Sequence, residues 1–143
     1  MSIKAVHQVS EELVESLNAL IPQVSTSAST ISLGELSAVV NREGTTLFIA
    51  ELDNKVVGML TLVTFKIPTG TRAWIEDVVV DESARGLGLA VELVKAGLEQ
   101  ARSAGALTVD LTSRPEREAA NALYHKMGFE SRETNVYRFS LEG

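Results

Sequence analysis

Apolar residues recur at two different spacings along the chain. In some stretches every second residue is apolar, as in VYRFSL near the C-terminus, and in others apolar residues return every three or four positions. The first spacing is typical of a strand with one buried face, and the second is typical of an amphipathic helix. Because the two kinds of stretch alternate along the chain, the sequence predicts a mixed α/β fold.

The N-terminal part of the chain predicts one strand and two helices. The strand is expected from Ser2 to Val9. Ser10 supplies an N-cap oxygen for a first helix, which we expect to end at Pro22. A loop rich in Ser and Thr follows. Ser32 and Glu35 have the spacing of a capping box and therefore predict a second, short helix.

The middle of the chain predicts a hairpin and a further strand. β-Branched and aromatic residues are concentrated in residues 46–52 and 55–67. The two-residue connection Asp53-Asn54 suits a tight turn, so these two segments are expected to form an antiparallel pair. Residues 73–80, AWIEDVVV, predict the next strand of the same sheet.

The last third of the chain predicts two more helices and two more strands. A long amphipathic helix is expected between Gly88 and Gly105. A short buried strand at residues 106–111 and a helix at 116–126 follow. Residues 136–141 alternate cleanly between apolar and polar, and we expect them to form a strand that closes the sheet.

Composition narrows the class of protein without indicating an activity. A chain of 143 residues has the size of one domain, expected here to span residues 1–143. The net charge of −6 disfavours nucleic acid as a partner. The chain has no Cys, which excludes a thiol nucleophile and Cys-ligated metals, and we expect no metal. Without a signal-like start or a long apolar run, we expect no membrane partner and a cytoplasmic location.

The segment richest in chemical information is RGLGLA, residues 85–90, between a predicted strand and the long helix. Glycines let a ligand approach the backbone, and the free N–H groups of a first helical turn favour an anion. A P-loop would need Gly-Lys-Ser/Thr here, and a dinucleotide fold would need a third glycine at Val91, so neither fits. On spacing alone, a simple strand-to-helix turn explains the two glycines equally well.

The same segment resembles the acetyl-CoA pyrophosphate loop of the GCN5-related N-acetyltransferase (GNAT) family. That loop has Gln or Arg, two residues, Gly, one residue, then Gly or Ala, and Arg85, Gly88 and Ala90 match it. WIEDVVVDES is similar to the family's fourth strand and ALTVDLTS to its fifth. NALYHKMGF, from Asn121 to Phe129, resembles the helix-to-strand segment that ends these domains. The resemblance covers about residues 56–139.

This resemblance implies a fold class and an order of strands. The expected GNAT-like acyl-CoA N-acyltransferase fold is an α/β fold with a mostly antiparallel mixed sheet. A splayed parallel strand pair is expected at the centre of that sheet, and about four helices flank it. In the family, the pantetheine arm of CoA lies between the splayed strands and bonds to them like a substitute strand.

The resemblance also implies roles for individual residues. Tyr124 corresponds to the general acid that protonates the departing CoA thiolate, and Glu76 is the expected general base. Main-chain groups of the splayed strand and of the glycine loop are expected to bind acetyl-CoA. The expected contacts are Val78, Val79, Val80, Arg85, Gly86, Leu87, Gly88, Leu89, Ala90 and Asn121.

Ordinary structural explanations exist for each of these residues. The helical position of Tyr124 suits a core tyrosine, and Asn121 suits an exposed helix residue. In a regular strand Glu76 and Asp77 point to opposite faces, so only one of them can face an acceptor. Asp77 or a chain of water molecules is therefore an alternative base.

The activity implied is transfer of the acetyl group of acetyl-CoA to a primary amine of a small molecule by direct attack. The Ile-Glu-Asp sequence also resembles glucosamine-6-phosphate acetyltransferases, but no sugar-phosphate-binding set is visible, so the acceptor stays open. A protein or peptide N-terminal acetyltransferase and a non-catalytic CoA-binding module are the alternatives. Homodimers are common among relatives, and the sequence offers no test of one.

Overall fold

The computed structural model describes residues 1–142, which fall into two compact units. The first unit consists of residues 1–111 and contains the whole β-sheet and three α-helices. The second unit begins at Thr112 and contains one α-helix. Nowhere in residues 1–142 is there a helix long and apolar enough to cross a membrane.

Strands and helices alternate as the sequence predicts. The strands are β1 (Ser2–Ala5), β2 (Thr45–Leu52), β3 (Lys55–Ile67), β4 (Gly70–Val80) and β5 (Val109–Asp110). The helices are α1 (Glu11–Val24), α2 (Leu33–Val40), α3 (Leu89–Ser103) and α4 (Glu118–Lys126). A single 3-10 turn at Glu82–Ala84 follows β4. The four α-helices confirm the number that the family resemblance implies.

The sheet has the strand order β1-β2-β3-β4-β5. The first three pairings are antiparallel and the pairing of β4 with β5 is parallel, so the sheet is mixed and mostly antiparallel, as expected. The expected position of the parallel pair is wrong for the described chain. It lies at the edge of the sheet and not at its centre, because no described strand pairs with the outer edge of β5.

The predicted closing strand is also wrong for the described chain. Residues 136–141 are not paired as a strand, and every residue from 130 to 142 is exposed. Alternation of apolar and polar residues specifies which side chains share a face, but a strand also needs a neighbour for its backbone N–H and C=O groups. The sequence pattern predicts the first property and not the second.

Short-range signals predicted the turns and caps well. Asp53 and Asn54 have φ angles of 51° and 63°, the left-handed conformation that a tight two-residue hairpin turn requires. Ser32 accepts a hydrogen bond from the Glu35 amide, and the Glu35 carboxylate accepts one from the Ser32 amide, which completes the capping box. The hydrogen bond from Ser32 lowers the pKa of Glu35.

Pro22 does not end the first helix. Helix α1 continues to Val24, and the amide of Ser25 still bonds to the carbonyl of Ile21 at 2.9 Å. A proline so close to the C-terminal end removes one backbone hydrogen bond but leaves the turn that follows it intact. The prediction that the helix ends at Pro22 is therefore wrong by two residues.

Helices cover both faces of the sheet. On one face, α1 and α2 pack on a cluster of buried residues that includes Met59 of β3 and Val79 of β4. On the other face, α3 lies close to the strands: a Cβ atom at Gly97 would stand 3.2 Å from Cδ2 of Leu60 and 3.8 Å from Cδ1 of Ile75. This close packing fixes the position of α3 relative to β4.

The pairing of β3 with β4 is interrupted by a β-bulge. Thr61 pairs with Glu76 and Met59 pairs with Val79, so Leu60 of β3 stands opposite two residues of β4. An extra residue of this kind bends the strand and breaks the ladder locally. The bulge lies in the strand that the family resemblance assigns to acetyl-CoA binding.

Asp77 occupies the bulge in a left-handed conformation, with φ at 51°. Asp and Asn tolerate this region better than other non-glycine residues do, because their short polar side chains can bond locally. The extra residue also breaks the regular alternation of faces, and both Glu76 and Asp77 are exposed. The expectation that only one of the two carboxylates can face an acceptor assumes a regular strand, and β4 is not regular at this point.

We expect Asp77→Gly to unfold at nearly the same urea concentration as the unsubstituted chain, because glycine adopts a positive φ without strain. Asp77→Val should lower the free energy of unfolding by about 1–2 kcal/mol, because a β-branched residue is strained there. Glu76→Val, in extended backbone one residue earlier, is the control and should cost little. Equal losses in the two valine variants would show that the bulge conformation is not what Asp77 contributes.

Candidate active site

Strand β4 is paired along one edge and largely open along the other. On the β5 side only Ala73 and Trp74 have partners, Val109 and Asp110. From the bulge to the end of β4, no described strand pairs with this outer edge. Backbone groups on a strand edge without a partner strand can bind an extended ligand as a neighbouring strand would.

The end of β4 is tied to the loop that follows it. Nε of Arg85 donates a hydrogen bond to the carbonyl of Val80 at 3.3 Å. The amide of Asp81 bonds to the carbonyl of Val57 at 2.7 Å, which holds the end of β4 to the adjacent β3 side. The guanidinium of Arg85 therefore lies where the open edge of β4 meets the glycine loop.

The glycine loop has the geometry of an anion-binding turn. Gly86 and Gly88 have φ angles of 83° and 79°, and a Cβ atom at either position would have no neighbour within 4 Å. Gly88 is the N-cap of α3, and the first bond of that helix runs from the amide of Glu92 to the carbonyl of Gly88 at 3.2 Å. The amides ahead of Glu92 form the free N-terminal turn of a helix, which favours negative charge.

Helix α3 is held firmly behind this loop. Its buried residues are Leu89, Leu93, Val94, Gly97 and Ala101. Leu89, the first helical residue, is only 1% exposed, so the helix is anchored in the core from its first position. Leu87, by contrast, is 55% exposed at the tip of the loop. Because Leu89 is buried and follows the exposed Leu87 by only two residues, the position of the free amides at the start of α3 is fixed by the core.

Asp81 clamps the turn before the loop, a role that the sequence analysis missed. Its carboxylate accepts hydrogen bonds from the amide and hydroxyl of Ser83 and, at 2.8 Å, from Nε2 of Gln23 in the last turn of α1. The bonds from Ser83 and then from Gln23 lower the pKa of Asp81. The Asp-x-Ser spacing is a sequence signal for this turn, but nothing in the sequence signals the contact with Gln23.

Glu76 lies immediately before the bulge. Its partner Thr61 is two residues from Met59, so by strand alternation the side chain of Glu76 is on the face that carries α1 and α2. Glu76 is nevertheless exposed, since the helices do not cover this position. An exposed carboxylate beside an open strand edge is available to a ligand.

The end of α4 follows a recognised helix-stop pattern in the second unit. Gly128 has a φ of 102°, and its amide bonds to the carbonyl of His125 at 3.1 Å. The amide of Phe129 bonds to the carbonyl of Tyr124 at 2.9 Å. These two bonds define a Schellman motif, in which a hydrophobic contact commonly joins the residues at the positions of Tyr124 and Phe129. The two rings do meet, edge to face, with centroids 5.6 Å apart.

Tyr124 is therefore both a packing residue and a candidate acid. It is 7% exposed, and burial raises the pKa of its phenol above the usual 10.0, while the nearby charge of Arg117 acts in the opposite direction. A raised pKa keeps the hydroxyl protonated at neutral pH. The Asn121 side chain, one turn earlier, donates a hydrogen bond to the carbonyl of Arg114 at 3.0 Å, so it supports the approach to α4.

The expected site residues fall into two groups. Glu76, residues 78–80 and the loop at 85–90 belong to the first unit, where they follow one another from the bulge of β4 to the start of α3. Asn121 and Tyr124 belong to the second unit, on one face of α4. Within residues 1–142 no group of three or more His, Asp or Glu side chains is arranged to hold a metal ion.

Comparison with known proteins matches the chain to one family. The model of the acetyltransferase (GNAT) family matches residues 10–129. A glucosamine 6-phosphate N-acetyltransferase from Trypanosoma brucei brucei is 36% identical over 113 residues, which are 76% of this chain and 75% of that protein.

Solved structures show the same fold. A Trypanosoma brucei acetyltransferase is 27% identical with a TM-score of 0.77, and the match covers 98% of this chain and 99% of the other. An aminoglycoside acetyltransferase from an uncultured soil metagenomic sample is 20% identical with a TM-score of 0.86, covering 99% and 96%. The family model spans most of the chain, including the bulged strand, the glycine loop and α4. The chain belongs to the GNAT family of acetyltransferases.

Proposed function

We propose that this chain transfers the acetyl group of acetyl-CoA to a primary amine of a small molecule by direct attack, and that residues 1–143 act as one acetyltransferase domain. The observation that carries the proposal is that, in the first unit, the open edge of β4 is followed directly by the glycine loop at the start of α3. The extended pantetheine arm fits the open edge, and the pyrophosphate fits the free amides at the start of α3.

Backbone groups supply most of the CoA contacts in this proposal. Amides of residues 85–90 bind the pyrophosphate, and the Arg85 guanidinium adds a positive charge near it. Main-chain groups of Val78, Val79 and Val80 bind pantetheine, while the Val79 side chain stays buried in the core. An amide in the Val78 region polarises the thioester carbonyl, where negative charge develops as the amine attacks. Asn121 completes the contacts through a bond to CoA or to an ordered water.

The reaction forms one bond and breaks one. The amine nitrogen attacks the thioester carbonyl carbon, a C–N bond forms, and the C–S bond breaks to release CoA thiolate. Glu76 accepts a proton from the amine and Tyr124 donates one to the thiolate. A phenol can donate to a thiolate with a pKa of about 8.5 once they are within hydrogen-bond reach. No covalent enzyme intermediate is required.

Glu76 is preferred over Asp77 as the base because of the backbone at each position. Asp77 is committed to the left-handed bulge, where its short side chain favours local bonding. Glu76 lies in ordinary extended backbone and carries a longer, exposed side chain. Asp77 or a chain of water molecules is the alternative base.

A small-molecule acceptor is supported by the activity named for the relative from Trypanosoma brucei brucei, which acetylates an amino sugar phosphate. The proposal extends only to the class of primary amines. Release of free thiol from acetyl-CoA across a panel of amino sugars, polyamines and short peptides tests it directly. Preferred turnover of peptides would favour an N-terminal acetyltransferase, and no turnover with intact CoA binding would favour a binding module.

Replacement of Gly88 by Val should weaken CoA binding at least tenfold, about 1.4 kcal/mol, because the new side chain enters the open space in front of the loop amides. Gly105→Val is the matched control: Gly105 also has a positive φ, of 88°, and also has open space around it, but it follows the other end of α3. Titration calorimetry should show normal affinity in the control. Equal affinities in the two folded variants would remove the loop from the CoA site.

Glu76→Gln should lower turnover strongly at neutral pH and recover part of it at high pH. An amine with a pKa near 10 is mostly protonated at pH 7, so a base is most needed there. The pH dependence of kcat/KM should be measured for this variant and for Asp77→Asn in parallel. If Asp77→Asn shows the loss and Glu76→Gln follows the unsubstituted profile, the base is assigned wrongly.

Tyr124→Phe should bind acetyl-CoA normally and turn over about 10²-fold more slowly, because the thiolate then leaves without its proton. The unsubstituted enzyme should also lose activity at high pH as the phenol ionises, above the usual pKa of 10.0, and this limb should vanish in the variant. Tyr137→Phe is the matched control, since Tyr137 is 87% exposed and is the only other tyrosine. Unchanged turnover with an unchanged melting temperature would leave Tyr124 a packing residue alone.

A further inference from the structure

A side chain at the end of α1 contacts the turn that leads into the glycine loop. Nε2 of Gln23 donates one hydrogen bond to the carbonyl of Ala19 at 3.3 Å, within α1, and another to Oδ1 of Asp81 at 2.8 Å. A carboxamide carries only two N–H donors, so both are in use. The bond within the helix fixes the direction of the side chain, and the second bond joins α1 to a residue 58 positions later.

The carboxylate of Asp81 divides its two oxygens between α1 and the turn before the loop. Oδ1 accepts the bond from Gln23, whereas Oδ2 accepts bonds from the amide of Ser83 at 3.0 Å and from the Ser83 hydroxyl. The amide of Ala84 bonds to the carbonyl of Asp81 at 2.9 Å, and Ala84 is 2% exposed. The turn is thus built on Asp81, and Arg85 and the loop glycines follow it directly. A displacement of Asp81 would therefore displace the start of the loop.

Gln23 also lies close before the connection between α1 and α2. This connection, the α1–α2 segment, is defined as residues 25–31; it contains no helix or strand, and its middle is exposed. Asn18 of α1 holds its far end. The Asn18 side chain donates a hydrogen bond to the carbonyl of Ile31 at 3.0 Å and accepts one from the amide of Ile31 at 2.8 Å. Both ends of the segment are therefore held by side chains of α1 or by α1 itself.

The α1–α2 segment is anchored to the same core as the bulge of β4. Val24 just before it and Ile31 at its end pack against the buried cluster that contains Met59 and Val79. Met59 and Val79 are the pair that closes the bulge on one side. The segment therefore belongs to the face of the sheet on which Glu76 lies.

We propose that Gln23 is a positioning residue for acetyl transfer, whose hydrogen bond to Asp81 couples acetyl-CoA binding at the glycine loop to the conformation of the α1–α2 segment. The inference rests on the proposed function, which assigns the pyrophosphate to the amides of residues 85–90. A ligand that orders those amides also restricts the turn that Asp81 holds, and Gln23 extends that restriction to the end of α1. Because such coupling is reciprocal, ordering of the segment should in turn strengthen binding of acetyl-CoA.

The chemistry of the Gln23–Asp81 contact suits this role. Hydrogen bonds from Ser83 and then from Gln23 lower the pKa of Asp81, so its carboxylate stays ionised at neutral pH. A hydrogen bond to a charged acceptor is stronger than one between neutral groups. In the proposed site Gln23 binds neither the pyrophosphate nor the reacting groups. Its effect on CoA therefore depends on the donor that it presents to Asp81.

The test removes or keeps that donor. Gln23→Met has a similar length and no N–H group, whereas Gln23→Lys keeps a donor that can reach Asp81. Titration calorimetry with CoA should show an affinity about threefold to tenfold weaker in Gln23→Met and near normal in Gln23→Lys. Gln100→Met is the matched control, because Gln100 is an exposed glutamine in the last turn of α3, at the end opposite the loop. It should bind CoA as the unsubstituted chain does.

Hydrogen exchange measures the coupling itself. Addition of CoA should slow amide exchange in the last turn of α1 and the α1–α2 segment of the unsubstituted chain and of Gln23→Lys, but not of Gln23→Met. The position is exposed, so all variants are expected to fold.

Three results would overturn the inference while leaving the proposed function intact. They are equal CoA affinities in Gln23→Met and Gln100→Met, an equal loss of affinity in Gln23→Lys and Gln23→Met, and CoA-induced protection of the segment that persists in Gln23→Met. An unsubstituted chain that binds no CoA would instead contradict the proposed function and this inference together.

Discussion

The candidate site depends on one constraint: β4 must be held rigidly along one edge while its other edge stays unpaired. A strand paired on both sides has no backbone groups left for a ligand, and a strand paired on neither side has no fixed position. Here β3 pairs with β4 over nearly its whole length, whereas β5 pairs with only two of its residues. Packing of α3 against Leu60 and Ile75 fixes the strand from one face, and the cluster around Met59 fixes it from the other. The open edge is therefore a property of a stable strand and not of a frayed one.

The bulge places backbone strain where the surrounding core can hold it. Asp77 is a non-glycine residue with a positive φ, and such residues persist only where neighbouring structure determines the backbone on both sides. Val79, two residues later, is 6% exposed, and Leu89 at the start of α3 is 1% exposed. The segment between these two buried anchors contains the Asp81 clamp and both loop glycines. The backbone of this segment is thus held in place at both ends by buried residues. Less conformational freedom would then be lost when a ligand binds to it.

Sequence reasoning predicted the elements whose causes are local and missed those whose causes are not. The hairpin at Asp53-Asn54, the capping box at Ser32 and the helix ends at Gly105 and Gly128 follow from residues within a few positions of one another.

Gln23 donates a hydrogen bond to Asp81, which is 58 positions away, and no short-range pattern signals this contact. The bulge at Asp77 depends on how β4 registers with β3, so a single strand's alternation cannot show it. The strand expected at residues 136–141 has the right pattern but no partner in the described chain, since pairing is a property of two segments.

Tyr124 shows why a motif can be read correctly and still leave its function open. The sequence Tyr-His-Lys-Met-Gly-Phe contains the residues that a Schellman motif needs: a glycine with positive φ, and apolar residues at the two positions that meet across the helix end. Burial also raises the pKa of the Tyr124 phenol, against the opposing charge of Arg117. The ring that packs on Phe129 at the helix end is also the ring that carries the hydroxyl proposed as the acid, so packing and the proposed chemistry belong to one side chain. A substitution that removes only the hydroxyl is the one change that separates the two, since it leaves the ring contact and the cap in place.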